Sequence, residues 1–297
     1  MERVLITGGS GFIGRATARL FCESGFEVRI LDLNDFPDPL DIDFVQGDIR
    51  DIDICKRSVS GCSRVIHLAA MSRSAPSTDE WRDCLSTNID GTTNVLEAAL
   101  TEGVHSFVYA GSSTFYGNQL GPQTPSMAPD LLNFYGLSKY VGEEIVRRFS
   151  NDFGLGATIL RYFNVYGPGQ PTVGPYGLVM GIFLSAKQAK SPVVIHGNGL
   201  QSRDFVFVED VARANLKASG IEMSGKTFNI GSGTKTSILE LARLLDLDFE
   251  FGPARQNDAA ETWADISVSN RDLNWRPLVS LVEGLAFTQK SLRQESN

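Results

Sequence analysis

The chain has 297 residues, 42% hydrophobic and 21% charged, with a formal net charge of −8 at pH 7, room for one large soluble α/β domain or one domain with a smaller lobe. The acidic balance argues against nucleic acid as a partner, and no apolar stretch approaches the ~20 residues of a membrane span. Four cysteines without metal-ligand spacing, beside three scattered histidines, point to reduced thiols, a cytoplasmic protein and no metal site.

Residues 3–7 form a short apolar run that empties into Gly8-Gly9-Ser10-Gly11-Phe12-Ile13-Gly14. A buried parallel strand followed by such glycines permits a tight turn and close backbone approach to a pyrophosphate, with the next helix packed on the strand. The helix expected over 15–24 would offer its N-terminal N–H groups to that anion. A second apolar run ends at Asp32, where a carboxylate can accept from adenosine ribose hydroxyls. No arginine follows in Asp32-Leu33-Asn34-Asp35, which favours NAD over NADP. The proline-containing segment 36–42 is too short for a full helix. Strands are expected over 44–49, carrying Asp48 and Ile49, and over 65–70, closing on Leu68, Ala69 and Ala70 where a flat ring can lie against backbone. His67 inside that run reads as a core histidine. Between these strands, 51–61 is helix-like. Residues 81–102 read as one long helix, with Asn88 and Gly91 facing a crowded neighbour, and 106–110 as a fifth strand. Alternation of strand and helix implies a doubly wound parallel sheet, Rossmann-like, with its ligand beyond the carboxyl ends of the strands.

The fifth strand ends in Gly111-Ser112-Ser113-Thr114, hydroxyls at the edge where the ligand belongs. Tyr135 and Lys139 then open a helix reaching about 153. Four residues apart, they share a face, and an ammonium near a phenol is expected to lower its pKa from about 10, as a general base near neutrality requires. A sixth strand spans 157–162, followed by a glycine/proline loop over 167–177. Helices are expected over 177–190, 209–220, 236–245 and 279–292, and short strands over 193–195 and 205–208. Residues 1–166, with segments near 205–230 returning to them, make the dinucleotide half, and 167–297 mainly a smaller C-terminal α+β substrate lobe. In an acidic chain, Arg203 and Arg255 are the cations whose guanidinium forks suit a diphosphate.

These residues together resemble an extended short-chain dehydrogenase/reductase, of the NAD-dependent nucleotide-sugar epimerase/dehydratase family. The motifs are Thr7 to Gly14, Asp32, Gly47-Asp48, His67 to Ala70, Asn88 with Gly91-Thr92, Ser112 to Gly117 and Tyr135 with Lys139. Arg161 to Pro168, Arg203-Asp204-Phe205, Phe228 to Gly231 and Leu273 to Pro277 extend the match over essentially the whole chain. The resemblance implies that Tyr135 is the base, Lys139 holds the nicotinamide ribose and Ser112 orients or relays the proton. It implies NAD contacts at Gly8, Gly11, Phe12, Ile13, Gly14, Asp32, Asp48, Ile49, Leu68, Ala69, Ala70, Asn88 and Phe163. It moves Arg203 and Arg255 toward the substrate diphosphate, with Asn164 beside them.

Dehydratases of the family place an Asp-Glu pair after the serine/threonine position, and decarboxylases a glutamate at the second site. This chain has Ser113-Thr114, neither a carboxylic acid/base near neutral pH, so inversion at C4 of a UDP-hexose or UDP-N-acetylhexosamine is the favoured reaction. A dehydratase, decarboxylase or 4-keto-sugar reductase, and last a non-catalytic NAD sensor, are the alternatives. Thr262 matches a position where a bulky tyrosine restricts relatives to plain hexoses, so an N-acetyl group is expected to fit. A homodimer is implied, with the helices of 81–102 and 135–153 paired across a two-fold.

Overall fold

Side chains alternating between two buried faces make strands of the apolar runs in the first half. The computed structural model describes residues 2–72, 80–172, 179–220, 225–254 and 259–295. In chain order the first half comprises β1 (Arg3–Thr7), α1 (Phe12–Glu23), β2 (Glu27–Asp32), β3 (Asp43–Gln46), α2 (Ile52–Val59), β4 (Arg64–His67), α3 (Trp81–Leu85), a π turn (Ser86–Asp90), α4 (Gly91–Thr101) and β5 (Ser106–Ser112). A 3-10 turn (Ser113–Tyr116), α5 (Phe134–Phe153), β6 (Ala157–Tyr162), β7 (Asn164–Tyr166), α6 (Val179–Ala189), β8 (Val193–His196), β9 (Ser202–Arg203) and β10 (Phe205–Phe207) follow. The chain continues through α7 (Val208–Ser219), β11 (Lys226–Ile230), β12 (Thr236–Ser237), α8 (Ile238–Leu244), β13 (Phe249–Gly252), β14 (Glu261–Thr262), α9 (Ser267–Asp272) and α10 (Leu281–Glu295).

The main sheet has seven strands in the order β11-β6-β5-β4-β1-β2-β3, every pair parallel. Strand order therefore reverses between β1 and β4, and the crevice above that reversal is where an open α/β sheet binds its ligand. Val4, Ile6, Val108 and Leu160 pack under α1 and α7 with Phe21, Val211, Ala214 and Trp275. Leu5, Phe107, Tyr109 and Ile159 face the other way, onto Val59, Val95, Leu96 and Val146 of α2, α4 and α5. The doubly wound expectation is borne out. A third apolar cluster joins α6, β8, β10, α8 and α10 through Phe183, Ile195, Phe207, Leu241 and Leu285. No helix among the described residues is long and apolar enough to cross a membrane.

Three departures from the sequence expectation have physical causes. The long helix over 81–102 is split by its π turn, because Asn88 turns inward: Oδ1 accepts from Met71 N–H at 2.7 Å and Nδ2 donates to Met71 C=O at 3.1 Å. Next to it Gly91 lets Ile49 close, since a Cβ there would stand 2.6 Å from Ile49 Cδ1. β4 stops at His67 instead of reaching Ala70. Leu68 N–H makes the last bond to Thr7 C=O at 3.1 Å, and Ala69 N–H goes to the Thr7 hydroxyl at 3.2 Å, a side chain taking the ladder's next donor. Over 236–245, two residues pair with β9 before Ser237 and Glu240 form a capping box that opens α8.

Candidate functional site

The glycine loop is built around close approach. Gly8 adopts φ +70, and a Cβ on it would lie 2.7 Å from Ala69 N; one on Gly14 would lie 2.2 Å from Gly8 O. Bare backbone thus brings α1, β1 and the chain leaving β4 together at the strand-order reversal. Gly11 precedes α1 as N-cap with no side-chain hydrogen bond, and no acid sits in the first turn. Its would-be Cβ meets only Gly8 O, at 3.2 Å. An uncapped helix N-terminus beside an open glycine fits a pyrophosphate. Phe12 and Ile13 are half-buried in the same turn, and Leu68, Ala69 and Ala70 half-buried opposite. Asp32 ends β2 with one carboxylate oxygen on Ser10 N–H and the other on Asn34 N–H, both 3.0 Å, each with lone-pair capacity left for ribose hydroxyls. These residues fit a bound dinucleotide.

Asp48 sits two residues beyond β3, where Arg50 forks onto it at 2.9 and 2.6 Å and holds its carboxyl below the usual range. Ile49 is buried against Gly91. Asn88 is buried too, its amide engaged by Met71 and by Ser138 Oγ at 2.9 Å, so it holds the chain leaving β4 against α5. His67 bridges Thr7 Oγ1 at 2.7 Å and Thr92 Oγ1 at 3.0 Å. Burial, with Lys139 nearby, pushes it down to about 3: it is the neutral core histidine expected.

At the carboxyl end of β5, Ser112 accepts from Thr114 N–H at 3.2 Å and from Thr114 Oγ1 at 2.9 Å, while Ser113 is half-buried beside it. Asn133 caps α5 by accepting from Gly136 N–H at 2.8 Å, which starts the helix so that Tyr135 falls in its first turn. The Ser112 hydroxyl stands beside the Tyr135 phenol and eases its ionisation. Lys139, one turn on, is buried with Nζ 4.3 Å over the Tyr109 ring. One expectation is corrected here. Burial raises the Tyr135 phenol above its ordinary value, with a smaller push from Cys84, and only the neighbouring Ser112 hydroxyl opposes it; Lys139 does not lower it. Desolvation also pushes Lys139 itself down to about 8, against the pull of Glu143. In a dry site, loss of hydration outweighs a neighbouring charge.

Phe163 is buried and stacks on Tyr116, centroids 6.0 Å apart. Asn164 donates to Asp204 C=O through its backbone N–H at 3.0 Å and its side chain at 3.1 Å. Arg203 is half-buried, with Nη1 on Ser202 C=O at 2.7 Å. Thr262 lies directly across from Arg203 where β14 runs parallel to β9, and its buried hydroxyl has no partner among the described residues. Asp204 anchors the segments that carry these residues: its carbonyl takes both Asn164 bonds, and its buried carboxylate accepts from Ser232 N–H and Oγ at 2.6 and 2.7 Å, and from Gly233 and Ala264 N–H at 3.0 Å. The sequence carries Asp204 only as part of the Arg203-Asp204-Phe205 motif, with no role of its own; its signal is an acid directly after the candidate arginine and before a buried strand. Arg255 lies outside the described residues.

Residues 4–231 match the NAD dependent epimerase/dehydratase family. The chain belongs to that family. A UDP-glucose 4-epimerase of Mycolicibacterium smegmatis is 32% identical over 312 residues, covering 99% of each chain. A crystal structure of UDP-glucose 4-epimerase with UDP-glucose, from Thermotoga maritima, superposes with a TM-score of 0.93 at 33% identity, covering 99% of this chain and 100% of the other. A UDP-N-acetylglucosamine 4-epimerase from Methanobrevibacter ruminantium, in complex with UDP-N-acetylmuramic acid, gives 0.93 at 27% identity over 99% of both chains. Members of this family use NAD, and the uncapped α1, the bare glycines and Asp32 are the parts of this chain that suit it.

Proposed function

We propose that this protein is an NAD-dependent 4-epimerase of a nucleotide-diphosphate sugar, acting on a UDP-hexose or UDP-N-acetylhexosamine. The observation that carries the reading is the placement of Ser112 at the end of β5 beside Tyr135 in the first turn of α5, with Lys139 buried one turn on, at the sheet edge where the glycine loop and Leu68 to Ala70 converge. When bound, NAD supplies the acceptor and later the donor of the C4 hydride. Tyr135 takes the 4-hydroxyl proton and gives it back after the sugar has turned, so it is both base and acid. Ser112, held by Thr114, orients that proton transfer. Lys139 binds the cofactor ribose. Gly8, Gly11, Phe12, Ile13 and Gly14 receive the pyrophosphate, Asp32 the adenosine ribose, and Asp48, Ile49, Leu68, Ala69, Ala70, Asn88 and Phe163 shape the surrounding pocket. Arg203, with Arg255 and Asn164, holds the substrate diphosphate by charge-assisted hydrogen bonds, and Ser113, Thr114 and Thr262 border the sugar.

Hydroxyls at 113 and 114 supply neither of the acids that elimination or decarboxylation needs, which supports epimerisation over those reactions. The small Thr262, with its unpartnered hydroxyl, supports room for an N-acetyl group. A division near residue 166, with β11 rejoining the first half, and a cytoplasmic homodimer belong to the same reading. Phe134, stacked on Trp81 at 5.7 Å and exposed with Leu137 and Phe153, supports pairing through α3–α4 and α5, and light scattering tests it. Incubation with NAD and either UDP-glucose or UDP-N-acetylglucosamine, read by proton NMR, should give C4-inverted product without net consumption of cofactor. No such product from either sugar overturns the reading; stoichiometric cofactor use would make the protein a reductase or oxidase of the 4-keto sugar.

A further inference from the structure

Glu143 stands one turn beyond Lys139 and two beyond Tyr135 on α5, fully buried. Gly111, immediately before Ser112, makes the space for it, since a Cβ there would lie 2.8 Å from Glu143 Oε1. From β6 the buried Arg161 forks onto the carboxylate, Nη2 to Oε2 at 2.7 Å and Nε to Oε1 at 3.0 Å, and Arg147 adds a bond to Oε2 at 3.1 Å. The far side of the Arg161 guanidinium donates to the Tyr116 hydroxyl at 3.0 Å and lies 3.3 Å over the Phe115 ring. Tyr116 in turn donates to Asn229 Oδ1 at 2.6 Å. One ion pair thus fastens the helix bearing Tyr135 and Lys139 to the strand end bearing Ser112 and to the 3-10 turn that follows it.

The groups facing Lys139 are Tyr135 and Glu143 on its own helix, Cys84 on α3, His67 on β4 and Tyr109 on β5. His67 is neutral and Cys84 is a buried thiol raised by desolvation, so Glu143 is the anion among them. The groups facing Glu143 are Arg147, Arg161, Tyr109 and Tyr116. We propose that Glu143, seated by Arg161, is a positioning residue for the reaction: its buried ion pair clamps α5 at the spacing that sets Tyr135 and Lys139 against the end of β5 bearing Ser112. This rests on the roles given above to Tyr135 and Lys139. Removing the Glu143 charge leaves burial of the ammonium almost unopposed, so Lys139 loses its proton at lower pH.

The test combines a titration with turnover. Protein labelled with 13C-lysine, in which Lys139→Met assigns the signal, reports the Lys139 titration midpoint without reference to activity. Glu143→Gln, which keeps the shape, should lower that midpoint by about one pH unit, roughly a fivefold loss of the charged form at pH 8. The alkaline limb of kcat should move with it, and Glu143→Asp should restore both. If Glu143→Gln does not fold, Arg147→Gln is read instead: Arg147 is the partly exposed second cation on the carboxylate, so with that counter-charge gone and Arg161 still in place, Glu143 acts more strongly on Lys139 and the midpoint rises. An unchanged midpoint in the folded variant overturns the inference. A wild-type protein that titrates as described but inverts no sugar would sink the functional reading instead, so the two failures are distinct.

Discussion

Gly14→Ala probes the geometry on which cofactor binding depends. The added Cβ would stand 2.2 Å from Gly8 O and 2.6 Å from Gly9 Cα, both backbone atoms. Ordinary contact begins at 3.4 Å, so α1 must withdraw from the β1 turn by about 1.2 Å. Overpacking of this kind costs about 1–3 kcal/mol, only partly offset by alanine's helix preference of about 1 kcal/mol over glycine. The displaced N–H groups are those offered to the pyrophosphate, and a shift of this size should weaken NAD roughly 10- to 100-fold. Urea denaturation and calorimetric titration with NAD read the two effects separately. Gly25→Ala is the control: its φ is +84 and nothing lies within 4 Å of a Cβ there, so strain of about 1–2 kcal/mol should lower stability and leave NAD affinity alone. Wild-type affinity in Gly14→Ala, or an equal loss in Gly25→Ala, would refute the argument from close approach.

Tyr135→Phe should lower kcat by roughly two to four orders of magnitude with little change in Tm; turnover within tenfold of wild type would remove the phenol from the chemistry. Burial, with a smaller push from Lys139, takes His67 from 6.5 to about 3, so between those values the unfolded chain binds a proton that the folded one refuses. Stability is therefore lost as pH falls, by about 1.4 kcal/mol per unit and about 2 kcal/mol by pH 5. In His67→Gln the stability difference between pH 7 and pH 5 should shrink by that amount, and an unaltered difference counts against it. Thr262→Tyr should cut the ratio of kcat/KM for UDP-N-acetylglucosamine over UDP-glucose at least about tenfold; an unchanged ratio would show that this position does not size the pocket.

Periodicity and punctuation made the parallel sheet readable, because strands buried on both faces must be continuously apolar and β1 must empty into glycine. The helix pattern over 81–102 was readable only as a pattern. Nothing in Leu85, Ile89 and Val95 says that Asn88 will leave the helical register to grip Met71, since that partner comes from another part of the chain. β9 and β14 are two residues each, too short for any alternation, although their pairing sets Arg203 opposite Thr262.

Charge was least visible in the sequence. Tyr135 and Lys139 suggested an acidic phenol by their spacing alone, and Glu143 with Arg147 has the spacing of a surface pair. Burial reverses both readings. Tyr135 becomes harder to ionise and Lys139 easier to deprotonate. Glu143 becomes a fixed charge only because Gly111 yields a cavity on β5 and Arg161 approaches from β6. The clue was present in Arg161, an arginine inside an otherwise apolar strand, because a guanidinium placed there is not tolerated without an acid to meet it. That requirement supports treating the two as one unit: removing either partner strands a buried charge, at about 3–5 kcal/mol, whereas Glu143→Gln leaves a hydrogen-bonding neighbour for Arg161 and separates the effect of charge from that of shape.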